Sequence, residues 1–289
     1  MKNLIKKVDI LIEALPYIRQ FKDKIFVIKY GGKAMVNESL KNSIIQDIIL
    51  MKLVGISPIV VHGGGPEITR AMEKCGKKPK FVNGLRVTDK ETMKIVETAM
   101  KKINKEIVSL FNEHGVKAIG LSPALERRGN LIVAKKYFAK DILNKKLDIG
   151  FVGEVKKINI AILKKFKEYI AVITPLGTGI DKNTYNINAD DVASGLAIKL
   201  KAEKLILLTD VDGVYDKHCN LIPTIGLGRI QNLIKNKTIK GGMIPKVKSA
   251  LKSIKAGVKK VHILNGNIKH SILLEIFTNK GIGTEIKKS

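Results

Sequence analysis

Lys29 closes a short apolar run, Ile25-Phe26-Val27-Ile28, and is followed after Tyr30 by Gly31-Gly32. A second run, Ile59-Val60-Val61, empties through His62 into Gly63-Gly64-Gly65, then Pro66 and Glu67. Runs this short and this rich in β-branched side chains read as buried parallel strands that stop at glycine turns. Ligands of open α/β sheets collect at such carboxyl ends, and glycines there let backbone N–H groups approach an anion with no Cβ in the way. With a lysine at one of the two ends, the pair points to a site for phosphate or carboxylate. Lys246 is a second cation of this kind, because it follows Gly241-Gly242-Met243-Ile244-Pro245 and opens a helix whose N-terminus adds positive potential. Asp190 falls in the first turn of another expected helix, where an acid also suits the helix dipole.

The familiar phosphate signatures are absent from these 289 residues. No G-x-x-x-x-G-K-[ST] is present, no G-x-G-x-x-G follows a strand, and the H-R-D and D-F-G pair of protein kinases is missing. Asp210-Val211-Asp212-Gly213 begins like a calcium loop, but its glycine comes too early and the closing glutamate is lacking. Cys75 and Cys219 have no metal-ligand spacing around them and read as reduced thiols, so no protein metal site is expected.

The formal charge of +27 raises nucleic acid as a partner. Of the 53 basic residues, however, 47 are lysine and six arginine, and they are spread along the whole chain. Base readout and bidentate phosphate recognition favour arginine, so no specific nucleic-acid function is expected, only weak adhesion at low salt. No apolar stretch spans a membrane and no signal-peptide pattern opens the chain. A cytoplasmic location is expected, or the plastid stroma for an organelle-encoded chain.

The elements that must position these residues alternate. Leu4, Ile5, Val8, Leu11, Ile12 and Leu15 mark a helical stripe over 2–15 that Pro16 should end. Glu38 or Ser39 should cap a helix running to Gly55, and another is expected from about Asp89 to Phe111. Strands are expected at 116–121, within 131–154 and at 169–173, with a helix over 158–166. Asn188 should cap a helix through Leu200, 205–208 and 261–264 should be strands, and helices should follow Pro245 and surround 270–277. Such alternation is that of an α/β fold with a largely parallel sheet.

Taken together and in order, Val27-Ile28-Lys29-Tyr30-Gly31-Gly32, Val61-His62-Gly63-Gly64-Gly65-Pro66-Glu67, Asn83-Gly84-Leu85-Arg86-Val87-Thr88-Asp89, Val152-Gly153-Glu154-Val155, Tyr185-Asn186-Ile187-Asn188-Ala189-Asp190, Leu207-Leu208-Thr209-Asp210-Val211 and Gly241-Gly242-Met243-Ile244-Pro245-Lys246-Val247 resemble the amino-acid kinase family. The segments around Arg86 and Asn186 resemble its members that phosphorylate N-acetyl-L-glutamate. The pattern departs from the family after Ser122, where Pro123-Ala124-Leu125-Glu126-Arg127-Arg128-Gly129 replaces Gly-Lys-Asp-Gly, and at Lys33, where the family usually has Asn.

The resemblance implies a three-layer αβα sandwich in two lobes: 21–175 for the acyl substrate and dimerisation, 176–289 for the nucleotide. It implies transfer of the γ-phosphoryl group of ATP, carrying Mg²⁺, to a side-chain carboxylate. Lys29 and Lys246 would flank that group and Asp190 would orient both. Gly64, Gly65, Arg86, Asn186 and Asn188 would hold N-acetyl-L-glutamate, while Gly31, Gly32, Thr209 and Asp210 would hold ATP. His62 is expected to be a structural hydrogen-bonder.

The segment ending in Glu13-Ala14-Leu15-Pro16-Tyr17-Ile18 resembles the arginine-inhibited members. That likeness implies an oligomerisation helix over 1–20, a homohexamer built as a trimer of dimers, and an L-arginine site at Tyr17, Lys204, His262, Glu275 and Gly281. A sister kinase acting on acetylaminoadipate, and a non-catalytic arginine-sensing or nucleic-acid-binding protein, are the alternatives at this point.

Overall fold

The computed structural model describes residues 1–123, 130–140 and 145–288, with Lys2, Asn3, Leu4, Lys6, Lys7, Ile10 and Lys33 described by backbone alone. The altered loop at 124–129 and the stretch 141–144 of the expected strand material lie outside the described residues, as do the Leu4 and Lys33 side chains.

The chain opens on α1 (Lys2–Phe21) and enters the sheet through β1 (Ile25–Tyr30); a 3₁₀ turn (Gly32–Met35) leads to α2 (Glu38–Leu53), β2 (Ser57–His62) and α3 (Gly65–Lys74). The two-residue strands β3 (Phe81–Val82) and β4 (Leu85–Arg86) form a hairpin before α4 (Lys90–Glu113) and β5 (Ala118–Leu121). Next come β6 (Ile132–Lys140), β7 (Lys146–Ile158), the single turn α5 (Ala161–Lys164), β8 (Ile170–Ile173), β9 (Leu176–Thr178) and β10 (Thr184–Ile187). The remainder runs α6 (Ala189–Leu200), β11 (Lys204–Thr209), β12 (Thr224–Gly226), α7 (Leu227–Lys235), α8 (Met243–Lys255), β13 (Lys260–Asn265), α9 (Ser271–Ile276) and β14 (Thr284–Lys287).

Among the described residues, eight strands form one sheet in the order β12-β14-β13-β11-β1-β2-β8-β5. Every neighbouring pair is parallel except β13–β14. In β1, alternate residues face opposite layers, as the two-residue period requires. Val27 packs with Val61 and Leu207 against α6, α7 and α8; Phe26 and Ile28 pack with Val60 and Ile206 against α2, α3, α4 and α9. Each of these side chains contributes about 1.5–3 kcal/mol relative to exposure. The α/β sandwich has the three layers that the resemblance implies and the largely parallel sheet that the alternation predicts. β10, β7, β6 and β9 close on one another as a small separate barrel.

Three local expectations change. α1 does not end at Pro16 but runs through it to Phe21. Proline removes the bond to the Ile12 carbonyl, but Ile12 is 57% exposed, within reach of water, and the last turn is anchored by Phe21, which meets the Phe26 ring edge-on at 5.2 Å. The helix expected over 158–166 shrinks to α5, because Ile158 still pairs with Ile132 at the end of β7. Asn37, rather than Glu38 or Ser39, caps α2, its side chain accepting from the Leu40 N–H at 3.0 Å.

On α1, Ile5, Val8, Leu11, Ile12 and Leu15 are 42–68% exposed, so among the described residues this stripe is left largely uncovered. Among the described residues no helix is long and apolar enough to cross a membrane.

Candidate active site

β1 lies between β11 and β2, with Lys29 in register with Leu207 on one side and Val61 on the other. Its carboxyl end therefore shares a rim with the glycines after β2 and with Thr209-Asp210 after β11. The Gly63 N–H donates to the Tyr30 carbonyl at 2.6 Å, which brings the two glycine turns together. Gly32 has φ +75°, a left-handed conformation that favours glycine, and the position a Cβ would take there is open.

Asp190 enters from α6. Asn188 caps that helix, its side-chain oxygen accepting from the Asp190 N–H at 2.8 Å. The carboxylate sits between two ammonium groups: Lys246 donates to Oδ2 at 2.8 Å, and Lys29 forms an ion pair with Oδ1 at 3.2 Å. Burial pushes the Asp190 carboxyl up, but the Lys29 and Lys246 charges outweigh it and leave the pKa below the usual carboxylate range. Burial brings Lys29 below the usual ammonium range; Asp190 opposes that shift and Lys246 adds to it. Two cations sharing one anion leave a net positive charge facing the rim, which suits an anionic group in transit.

Gly64 and Gly65 stand at the N-terminus of α3. Arg86, on β4, lies beneath that end: Nη2 donates to the Gly65 carbonyl at 3.1 Å and to Thr69 Oγ1 at 2.8 Å, and the guanidinium lies 4.8 Å from the Phe81 ring centroid. These partners are neutral, and burial lowers the Arg86 pKa. Among the described residues it has no ion pair, so its charge is available to a ligand carboxylate. Asn186 is half-buried on β10, between Val152 of β7 and Leu176 of β9.

Thr209 Oγ1 donates to Asp210 Oδ1 at 3.2 Å. Just beyond, Val211, Tyr215, Lys240 and Met243 help line a cavity of about 530 Å³. Asp212 braces its wall, accepting from Tyr215 Oη and from Asn265 Nδ2, each at 2.7 Å. Sequence reasoning missed Tyr215 and Lys240 as lining residues, since they come from segments on opposite sides of α7 with no common spacing. Among the described residues, no group of three or more His, Cys, Asp or Glu is arranged to hold a metal ion.

Four of the five residues of the expected arginine site, Lys204, His262, Glu275 and Gly281, also meet, and Tyr17 lies against neighbouring Phe277 and Asn279. Lys204 Nζ donates to His262 Nε2 at 2.9 Å, and His262 Nδ1 donates to Glu275 Oε1 at 2.6 Å. Glu275 Oε2 accepts from the N–H groups of Ile282 and Gly283 at 2.7 and 3.1 Å. A Cβ on Gly281 would lie 2.7 Å from that same oxygen. Tyr17 hydrogen-bonds Asn279 and meets the Phe277 ring edge-on, and Lys204 lies 5.1 Å from the Phe21 ring centroid, which ties the end of α1 to the cluster. Burial lowers the Lys204 pKa to about 8, with Lys260 acting in the same direction, and burial also lowers that of His262.

The profile of the amino acid kinase family matches residues 24–265. The acetylglutamate kinase of Syntrophus aciditrophicus (strain SB) is 52% identical over 289 residues, covering 97% of each chain. That of Methanocaldococcus jannaschii is 51% identical over 298 residues, covering 100% of this chain and 98% of its own. Among solved structures, N-acetylglutamate synthase from Neisseria gonorrhoeae complexed with coenzyme A and N-acetyl-glutamate superposes with a TM-score of 0.86 at 28% identity over 98% of this chain. The same synthase complexed with coenzyme A and L-arginine gives 0.81 at 27% identity, also over 98% of this chain. This chain spans only 63% and 65% of those two synthase chains, respectively. Family profile, full-length relatives and fold agree: the chain belongs to the amino acid kinase family.

Proposed function

We propose that this chain transfers the γ-phosphoryl group of ATP to the side-chain carboxylate of N-acetyl-L-glutamate. The product is N-acetyl-L-glutamyl 5-phosphate, in the second step of arginine biosynthesis. The observation that carries the reading is the Asp190 carboxylate between Lys29 and Lys246 at the rim of two glycine turns. Relatives at 51–52% identity with the acetylglutamate kinase name favour this acceptor over acetylaminoadipate.

A side-chain carboxylate of pKa about 4.3 is already ionised at neutral pH, so the reaction needs no general base. What it needs is to bring one anion onto another. A carboxylate oxygen forms the new bond to the γ-phosphorus while the bond to the bridging β,γ-oxygen breaks, and its electron pair leaves with ADP. Lys29 and Lys246 stabilise the charge spread over the transferring oxygens, and Asp190 holds both ammonium groups where that charge develops. Gly31 and Gly32 offer N–H groups to the phosphates, and Gly64 and Gly65 to the acceptor. Arg86 grips the acceptor's α-carboxylate, Asn186 its acetamido end, and Asn188 sets the start of α6. Thr209, Asp210 and the adjoining cavity take the nucleoside. Magnesium comes with the nucleotide, held chiefly by phosphates and water, and supplies further positive charge there.

Residues 21–175 would then serve the acyl substrate and dimerisation, and 176–289 the nucleotide. The exposed stripe of α1, the meeting of Lys204, His262, Glu275 and Gly281, and the tie of Tyr17 to Phe277 and Asn279 support a homohexamer, a trimer of dimers joined through residues 1–20, that binds L-arginine as feedback inhibitor. The free thiols of Cys75 and Cys219 fit a cytoplasmic setting.

Trapping acyl phosphate with hydroxylamine tests the acceptor. N-acetylglutamate should give hydroxamate well above glutamate, aspartate and acetylaminoadipate; equal or greater yield from any of the three would overturn the assignment.

A further inference from the structure

His62 lies at the end of β2, fully buried, and the phosphoryl-transfer reading gives it no proton to move. Its hydrogen bonds nevertheless define one state. Nδ1 lies 2.8 Å from the Gly63 carbonyl oxygen, which can only accept, so Nδ1 carries the proton. Nε2 lies 3.2 Å from Asn104 Nδ2, whose amide also donates to the Val172 carbonyl at 2.9 Å. Asn104 is thus a donor on both sides, and Nε2 must be the acceptor. Burial agrees with a neutral ring, lowering the pKa to about 4.

Asn104 itself is 2% exposed and reaches His62 from α4, which packs on one face of the sheet. A Cβ at Gly120 would lie 1.9 Å from Asn104 Oδ1, so the contact exists because residue 120 is glycine.

The consequence falls on the glycine turn. The Gly63 carbonyl and the Gly64 N–H belong to one planar trans peptide and point in opposite directions. Holding the carbonyl on His62 therefore aims the Gly64 N–H the other way. The preceding peptide is held too, by the Gly63 N–H on the Tyr30 carbonyl at 2.6 Å. Both peptide units that set the turn are tied down before any ligand arrives, which is what a preorganised donor requires.

We propose that His62, locked by Asn104 in its Nδ1–H tautomer, is a positioning residue that aims the Gly64 N–H at the acceptor's carboxylate. This rests on the kinase reading. Two variants separate its two nitrogens. His62→Asn keeps a donor near the Nδ1 position, whereas His62→Gln keeps an acceptor near the Nε2 position and loses the donor to Gly63. His62→Gln should lower kcat/KM for the acceptor by about tenfold or more, with the KM for ATP unchanged, and His62→Asn should recover most of that loss. Equal losses in both variants, or a KM for ATP that moves with the acceptor's, would overturn the proposal.

A second readout is independent of turnover. ¹⁵N NMR of the histidine-labelled, unsubstituted chain should show His62 neutral at pH near 7 with the proton on Nδ1. A proton on Nε2, or a cationic ring, overturns the proposal even in an active enzyme. Absence of acyl-phosphate formation by the unsubstituted chain would instead count against the kinase reading.

Discussion

Lys246 Nζ lies 2.8 Å from Asp190 Oδ2, across 56 residues of sequence, and joins the start of α8 to the first turn of α6. With Lys29 on the other oxygen, the three side chains form one charged unit at the sheet rim. Both lysines supply charge rather than core packing. Lys29→Ala and Lys246→Ala should each lower kcat by about 10²–10³-fold, the usual cost of losing a preorganised transition-state donor. Steady-state rates, with circular dichroism to confirm folding, check this; either variant keeping more than half of the turnover would remove that residue from the catalytic set.

Arg86 donates from Nη2 to both the Gly65 carbonyl and Thr69, and carries a planar guanidinium whose bidentate geometry a lysine cannot reproduce. If Arg86 grips the acceptor's α-carboxylate alike in ground and transition states, as proposed, Arg86→Lys should raise the acceptor's KM far more than it lowers kcat. An effect on kcat alone would place Arg86 at the phosphoryl group.

Lys204 makes stability depend on pH. Its pKa falls from 10.5 to about 8 on burial. Between these values the unfolded chain binds more protons, so stability rises with pH across the window; the contribution is present above 10.5 and lost as pH falls through about 8. Lys204→Met should flatten that rise in urea unfolding measured at both ends of the window. Parallel curves for the two proteins would contradict the assignment.

Much of this site was legible in the sequence, because its signals are local. Lys29 before Gly31-Gly32, Asp190 after the Asn188 cap, and Lys246 after Gly241-Gly242 each announce a strand end or helix start. What spacing cannot carry is how distant segments meet. Nothing local places Tyr215 and Lys240 on one cavity wall, or puts Asn104 of α4 on His62 of β2. The three-residue β9 and β12 are too short for a period to emerge, and β14 enters the sheet between β12 and β13, antiparallel to β13, a place no local signal assigns. The expectation that Pro16 ends α1 failed because anchoring contacts of Tyr17 and Phe21 outweigh one missing hydrogen bond.

Deleting residues 1–20 removes both the exposed stripe and Tyr17. The shortened chain should remain an active dimer that no longer responds to L-arginine, while the full chain is a hexamer inhibited by it. Light scattering and turnover with added arginine check both halves; a full-length dimer indifferent to arginine would sink this part of the account.

The most direct measurement is ³¹P NMR of the unsubstituted protein with ATP, Mg²⁺ and N-acetyl-L-glutamate. ADP and an acyl-phosphate resonance should grow together in equal amounts, and both should grow about 10²–10³-fold more slowly in Lys29→Ala. Unchanged ATP, or ADP accompanied only by inorganic phosphate from the first spectrum onward, would contradict phosphoryl transfer to the carboxylate.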